Sequence, residues 1–253
     1  MPNTPKRAYQ EIGLILQNEL MEGLYKVGDR LPPERDIAER MNVSRTVVRE
    51  AIIMLEIQNL VEVKKGSGVY VCNIPSSANT ESSELDNDDV GPFELLQARQ
   101  LLESNIAEFA ATMATPSDIG RMRQALALER KELESGASES SGDKQFHICI
   151  AEATQNSVLV DILKQSWGER LKSPMWRKLH TRISGQDYRN EWVEDHAKIL
   201  AAIQRRDPIA AKSAMWQHLE NVKQRLLELS DIDDPNFDGY LFNSNPVVSL
   251  KMD

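Results

Sequence analysis

Three of the four histidines and one aspartate carry the clearest chemistry in this sequence. Asp143 and His147 lie four residues apart in a stretch with helical periodicity, so both side chains leave the same face. His196 and His218 stand at nearly equal distances on either side of the turn Arg206-Asp207-Pro208. In an antiparallel helical hairpin, equal distances from the tip put side chains at one level, roughly 16 Å along at about 1.5 Å per residue. One carboxylate and three imidazoles at one level suit a borderline divalent ion: zinc first, with nickel or manganese as alternatives. An Asp/His pair at this spacing is also common on helix surfaces, and the matching hairpin register is what favours a site. His180 has no comparable partner.

A second set of residues suits nucleic acid. Ser44-Arg45-Thr46-Val47-Val48-Arg49 opens a helix in which Arg45 and Arg49 are one turn apart and are expected to share a face. The guanidinium fork matches the O6/N7 pair of guanine, and Ser44 and Thr46 suit phosphate or base edges. Arg35, near the start of the preceding helix, is placed to reach the same groove. The tip Lys64-Lys65-Gly66-Ser67-Gly68 can approach a DNA backbone or minor groove closely, since glycine carries no side chain. Five arginines between positions 30 and 49 also suit solvated helix faces; the order of elements around them decides the matter.

That order is helix, helix, helix, hairpin. Residues 7–22 carry Ile12, Ile15, Leu16 and Leu20 at helical spacing, and Gly23 follows as a stop. Residues 34–41 form a short second helix. Ser44 caps a third over 45–57, with Val48, Ile52 and Leu55 inward. LVEV, a glycine turn and VYV then read as a two-stranded hairpin. This is the layout of a winged helix-turn-helix, whose third helix enters the major groove. Residues 73–90 are polar and acidic and read as a linker. Beyond them no strand is expected. Helical patterns cover 93–114 (Leu95, Leu96, Leu102, Ile106, Phe109 and Ala110), Pro116 to about 135, 143–153, 157–170, 189–204 and 208–229. The fold class is therefore mainly α: a winged helix over 1–72, a linker over 73–90, an all-α bundle of six or seven helices over 91–230, and a tail over 231–253. Phe237, Tyr240 and Phe242 suggest that the tail packs on the bundle.

Composition narrows the classes. The chain has 253 residues, 41% of them hydrophobic, enough for a real core. No apolar run reaches the roughly 18–20 residues of a membrane span, and the N-terminus lacks an apolar signal core. Two distant cysteines, Cys72 and Cys149, exclude a disulfide framework; a cytoplasmic location is expected. The net charge of −9 argues against nucleic acid until it is divided. Residues 1–72 hold ten basic and ten acidic side chains, so the acidic excess lies wholly beyond them.

The stretch LPPERDIAERMNVSRTVVREAIIMLEIQNLVEVKKGSGVYV resembles the DNA-binding domain of the GntR family of bacterial regulators. One departure is Pro33, where the family has a serine helix cap. Residues 93–222 resemble the ligand-binding FCD domain of the FadR-type subgroup. That resemblance implies that Asp143, His147, His196 and His218 hold a divalent metal against which a small carboxylic acid docks. It also implies ligand-facing roles for Arg99 and Asn156, with Arg170 a weaker candidate. Arg99 can equally pair with Glu103 at i+4, and Asn156 can equally cap a helix. GPFELLQARQLLESNIAEFAA and AAKSAMWQHLENVKQRLLE resemble the hexuronate-utilisation repressors of the subgroup. This implies control of glucuronate and fructuronate genes by a sugar-acid inducer, and a homodimer on double-stranded, pseudo-palindromic operator DNA. Two other readings stay open: a metal-dependent enzyme acting on small sugar acids, and a regulator with a purely structural metal. The enzyme lacks a recognisable general base, since no HExxH or comparable carboxylate is present.

Overall fold

The computed structural model describes residues 7–64, 67–75, 89–136, 141–181 and 187–230, and statements of presence or absence below concern these. They fall into two compact units, one within residues 1–84 and one within 85–230. The tail 231–253, residues 76–88 of the expected linker, and Lys65 and Gly66 of the hairpin tip lie outside the described residues.

The first unit contains α1 (Ala8–Met21), α2 (Glu34–Met41), α3 (Arg45–Ile57), β1 (Val61–Lys64) and β2 (Gly68–Val71). The core forms where Tyr9, Ile12, Leu16 and Leu20 of α1 meet Val48, Ile52 and Leu55 of α3, with Ile37 of α2 closing one side. Ile15, expected on the inward face, is 44% exposed. Gly13 takes that place: the Met54 side chain of α3 fills the space a Cβ would need. Asn42 ends α2 in the left-handed conformation (φ 53°) that a short polar side chain tolerates. Ser44 then starts α3 by accepting a hydrogen bond from the Val47 amide at 3.3 Å. Pro33 gives α2 no side-chain cap, and Glu34 and Asp36 in the first turn compensate through the helix dipole. β1 and β2 pair antiparallel, Val61 opposite Val71, and residues 28–31 run beside β2 through Gly28 N–Val71 O and Leu31 N–Val69 O, both 2.8 Å.

The second unit is a seven-helix bundle: α4 (Pro92–Met113), α5 (Pro116–Glu134), α6 (Ser141–Ala153), α7 (Ser157–Lys172), α8 (Pro174–Thr181), α9 (Asp187–Gln204) and α10 (Pro208–Ser230). α10 runs along α4 and α9, and α5 lies against α6 and α9. Punctuation is local. Pro92 and Pro116 open α4 and α5. Thr115 and Asp118 form a reciprocal capping box. Arg206 (φ 55°) ends α9 before Pro208 starts α10. α8 has no counterpart in the sequence reading, because its eight residues are too few to establish a period. Phe109, expected inside α4, is 41% exposed; the inward stripe instead continues through Ile106, Ala107, Ala110 and Ala111.

Candidate metal centre and nucleic-acid interface

Six helices of the bundle bring polar side chains to one buried point. α6 supplies Asp143 and His147, α9 supplies Asp195 and His196, and α10 supplies His218. The three imidazoles are at most 3% exposed. Their Nε2 atoms face one another: His147 to His196 is 3.2 Å, and His196 to His218 is 3.2 Å. Asp143 Oδ1 lies 3.4 Å from His147 Nε2 and 3.9 Å from His196 Nε2.

The opposite ring nitrogens explain why this convergence needs a cation. His147 Nδ1 meets the Glu103 carboxylate of α4, and His196 Nδ1 meets Glu129 of α5 at 2.7 Å. A carboxylate on Nδ1 keeps the proton there and leaves Nε2 as a lone pair. His218 Nδ1 is 3.9 Å from Asp195 Oδ2, beyond hydrogen-bond length, and has no partner. Two lone pairs and a carboxylate oxygen thus point at one spot that His218 Nε2 also faces, an electron-rich convergence that suits a positive charge. Ligand atoms about 2.1 Å from a common ion stand roughly 3.0 Å apart at right angles and roughly 3.4 Å apart at the tetrahedral angle. Three of the separations, 3.2, 3.2 and 3.4 Å, fall in that range and the fourth, 3.9 Å, is wider, a set of donors that fits a divalent ion.

The charges respond accordingly. Burial raises the Glu103 carboxyl, but Arg99 and His147 outweigh it and hold the group down at about 2. Asp143 is likewise held far below the usual carboxylate range, burial being overcome by Arg170, His147, His196 and Arg99. Burial, with His196 and His147 close by, lowers His218 to about 3, so it stays neutral. Burial also disfavours a charged His196, but Glu129 and Asp143 overcome it and raise the imidazole. Without metal, a proton on His196 partly takes the cation's place.

The expected ligand-facing residues separate. Arg99 is 3% exposed and donates from Nε to Glu103 Oε1 at 2.5 Å; it is therefore both in the cluster and engaged by Glu103. Arg170 is the better placed of the two: its Nη1 is 3.4 Å from Asp143 Oδ2, and its guanidinium lies over the Trp167 and Trp176 rings. Asn156 is a correction. It is exposed and accepts from the Val158 and Leu159 amides at 3.1 and 3.3 Å, so it caps α7 and is not brought into the cluster. Glu129 and Asp195 have no role in the sequence reading, and Glu103 has only that of a partner to Arg99. Their signal was present only as acids on inward helix faces, and no spacing rule links α4, α5 and α9 across the sequence. His180 lies on α8, its side chain outside the described residues.

In the first unit, Arg35 is well exposed beside Asp36, and Arg45 is half-buried at the start of α3. Lys64 is exposed, 4.9 Å over the Tyr70 ring. Thr46 is 8% exposed and hydrogen-bonds Ser44 Oγ at 2.8 Å, so this pair is occupied in capping. Arg49 is the second correction. It does not share the face of Arg45: its side chain is 2% exposed and grips Glu34 of α2, with Nε 2.9 Å and Nη2 2.5 Å from Oε2. Four residues advance a helix only about 40° past a full turn, so spacing alone does not separate the two; the Glu34 carboxylate of α2 receives Arg49 inward, where a charge persists only if paired. Arg49 therefore locks α2 to α3.

A winged helix-turn-helix followed in the chain by a helical unit with a buried polar centre defines a class: DNA-binding transcriptional regulators that respond to a ligand. Comparison with known proteins gives the family. Residues 8–71 match the bacterial regulatory proteins of the gntR family, and residues 94–221 match the FCD domain. The Uxu operon transcriptional regulator of Escherichia coli (strain K12) is 58% identical over 245 residues, covering 96% of this chain and 95% of that one. The Uxu operon regulator of Haemophilus influenzae is 56% identical, covering 98% and 92%. The Exu regulon transcriptional regulator of Escherichia coli (strain K12) is 51% identical, covering 97% and 95%. The chain belongs to the GntR family and carries an FCD domain. It is a transcriptional regulator and not an enzyme. No helix among the described residues is long and apolar enough to cross a membrane.

Proposed function

We propose that this chain represses hexuronate utilisation genes, chiefly those for glucuronate and fructuronate, and releases its operator when a sugar acid binds beside a divalent metal. The observation that carries this reading is the convergence of three imidazole Nε2 atoms and one Asp143 oxygen, two of the rings backed by carboxylates. Asp143, His147, His196 and His218 hold the ion, with zinc the first candidate. The ion supplies a Lewis-acidic anchor for the ligand carboxylate. Arg170 and Arg99 steady the surrounding carboxylates, and burial excludes water from the contact. The likeness to Uxu and Exu regulators supports a hexuronate as the acid.

The DNA-reading surface consists of Arg35, Arg45, Lys64 and the Lys65-Gly66 tip, ordered by the Ser44 and Thr46 cap. Residues 1–72 form the reading domain, 73–90 a linker, 91–230 the metal- and ligand-binding domain, and 231–253 a tail. Two copies bind a pseudo-palindromic operator, since one winged helix reads too few base pairs to find its site in a genome. The test is binding of the purified protein to uxu-type promoter fragments, titrated with glucuronate and fructuronate at fixed zinc. Release by either acid supports the reading. Tight operator binding that neither acid changes overturns it.

A further inference from the structure

The buried cluster holds two ring nitrogens that metal ligation and hydrogen bonding leave unused: His218 Nδ1, 3.9 Å from Asp195, and the indole Nε1 of Trp167. Trp167 of α7 is 3% exposed, and its indole Nε1 is buried without a hydrogen-bond partner. Buried indole N–H groups ordinarily find an acceptor, because leaving one unmade is costly. The ring belongs to the cluster: its centroid is 5.5 Å from the His147 ring, with the Arg99 and Arg170 guanidinium groups 4.2 and 4.8 Å away. These two cations hold the indole in place.

Both cations are already engaged, Arg99 by Glu103 at 2.5 Å and Arg170 by Asp143 at 3.4 Å. Four carboxylates, Glu103, Glu129, Asp143 and Asp195, surround the histidines against these two guanidinium groups and Lys198, whose Nζ is 2.8 Å from Asp195. A divalent ion leaves that set one positive charge, which one ligand carboxylate docked on the ion balances. A second would enter a buried site with no unengaged cation among its described residues, and an uncompensated buried charge is strongly disfavoured. Of the two unpartnered donors, His218 Nδ1 lies beside the Asp195 carboxylate, and the Trp167 N–H, which is neutral, suits a hydroxyl or carbonyl oxygen of a ligand.

We propose that Trp167 is a specificity-determining residue, whose Nε1–H donates to an uncharged oxygen of a monocarboxylic sugar acid and selects it over the dicarboxylic counterpart. This rests on the metal-and-acid reading above. The experiment is calorimetry of the zinc-loaded full chain and its Trp167→Phe variant with glucuronate, fructuronate and glucarate, alongside zinc content and thermal melting. The variant keeps an aromatic ring but loses the N–H together with part of the indole, so thermal melting measures the packing loss and the fluorine-labelled wild type isolates the N–H contact. Wild type binds a uronate about tenfold or more tighter than glucarate; the variant binds that uronate about tenfold more weakly, with zinc content unchanged. In protein labelled with 5-fluorotryptophan, the ¹⁹F resonance of Trp167 shifts on adding the uronate. Unchanged uronate affinity in the variant, or glucarate bound as tightly as a uronate by wild type, overturns the assignment of Trp167 alone. Zinc-loaded wild type that binds none of the three acids overturns the underlying reading and this one with it. Should the variant not fold, the labelled wild type decides, an unmoved Trp167 resonance counting against the proposal.

Discussion

At the scale of single residues, the account turns on what stands behind each imidazole. Glu129 accepts from His196 Nδ1 at 2.7 Å and Glu103 from His147 Nδ1, so each fixes a tautomer and the direction of a lone pair. Replacing such a partner typically weakens metal binding by about 10–100-fold. Glu129→Gln is expected to lie in that range in a competition titration against a chelating dye, with the fold retained. The same contacts set a pH dependence. His196 in the metal-free protein holds its proton more tightly than an ordinary imidazole, because Glu129 and Asp143 outweigh its burial. Protons therefore compete with metal at and above the ordinary value of about 6.5, and metal affinity falls as pH drops through that region. His218, held at about 3, adds no further loss until far lower pH. Zinc affinity that is flat between pH 8 and pH 6 contradicts this. In the first unit, Glu34→Ala leaves the Arg49 guanidinium buried without the carboxylate that grips it. Breaking such a pair costs about 3–5 kcal/mol, and the low end applies because Glu34 keeps 17% exposure. Chemical denaturation of the isolated variant measures it.

At the scale of elements, the site depends on how closely α5 and α6 approach. A Cβ on Gly142 would stand 2.6 Å from Glu129 Cα, so only glycine lets α6 lie this near α5. Gly142 precedes Asp143, and its obstacle is the residue that orients His196. Gly142→Ala is expected to push the helices apart, lower the melting temperature and lower zinc affinity together; loss of stability with unchanged zinc affinity counts against the coupling. Much of this architecture was legible in the sequence. α2, α3 and the hairpin follow from the Ser44 cap, the inward face of Val48, Ile52 and Leu55, and the glycine turn. The equal spacing of His196 and His218 about Pro208 anticipated the level at which their Nε2 atoms meet. Less local facts were not legible. Arg49 turns inward because Glu34, fifteen residues earlier, is there to receive it. Asn156 stays outside the cluster because capping α7 satisfies it locally. The carboxylates behind the histidines come from helices whose alignment is settled only by tertiary packing.

At the scale of the whole molecule, the proposed release of the operator by a sugar acid is a linkage, and linkage is reciprocal. If a sugar acid weakens operator binding by some factor, typically about 5–150-fold, the operator weakens acid binding by the same factor. The measurement that tests the central claim most directly is operator affinity and zinc content, each with and without glucuronate or fructuronate, in the full chain and in a His196→Ala, His218→Ala double variant. The account predicts that wild type holds zinc and releases the operator on adding acid, whereas the double variant holds little zinc and keeps the operator whether or not acid is present. A double variant with full zinc content that still releases the operator on adding acid would place the effector site elsewhere and contradict the account.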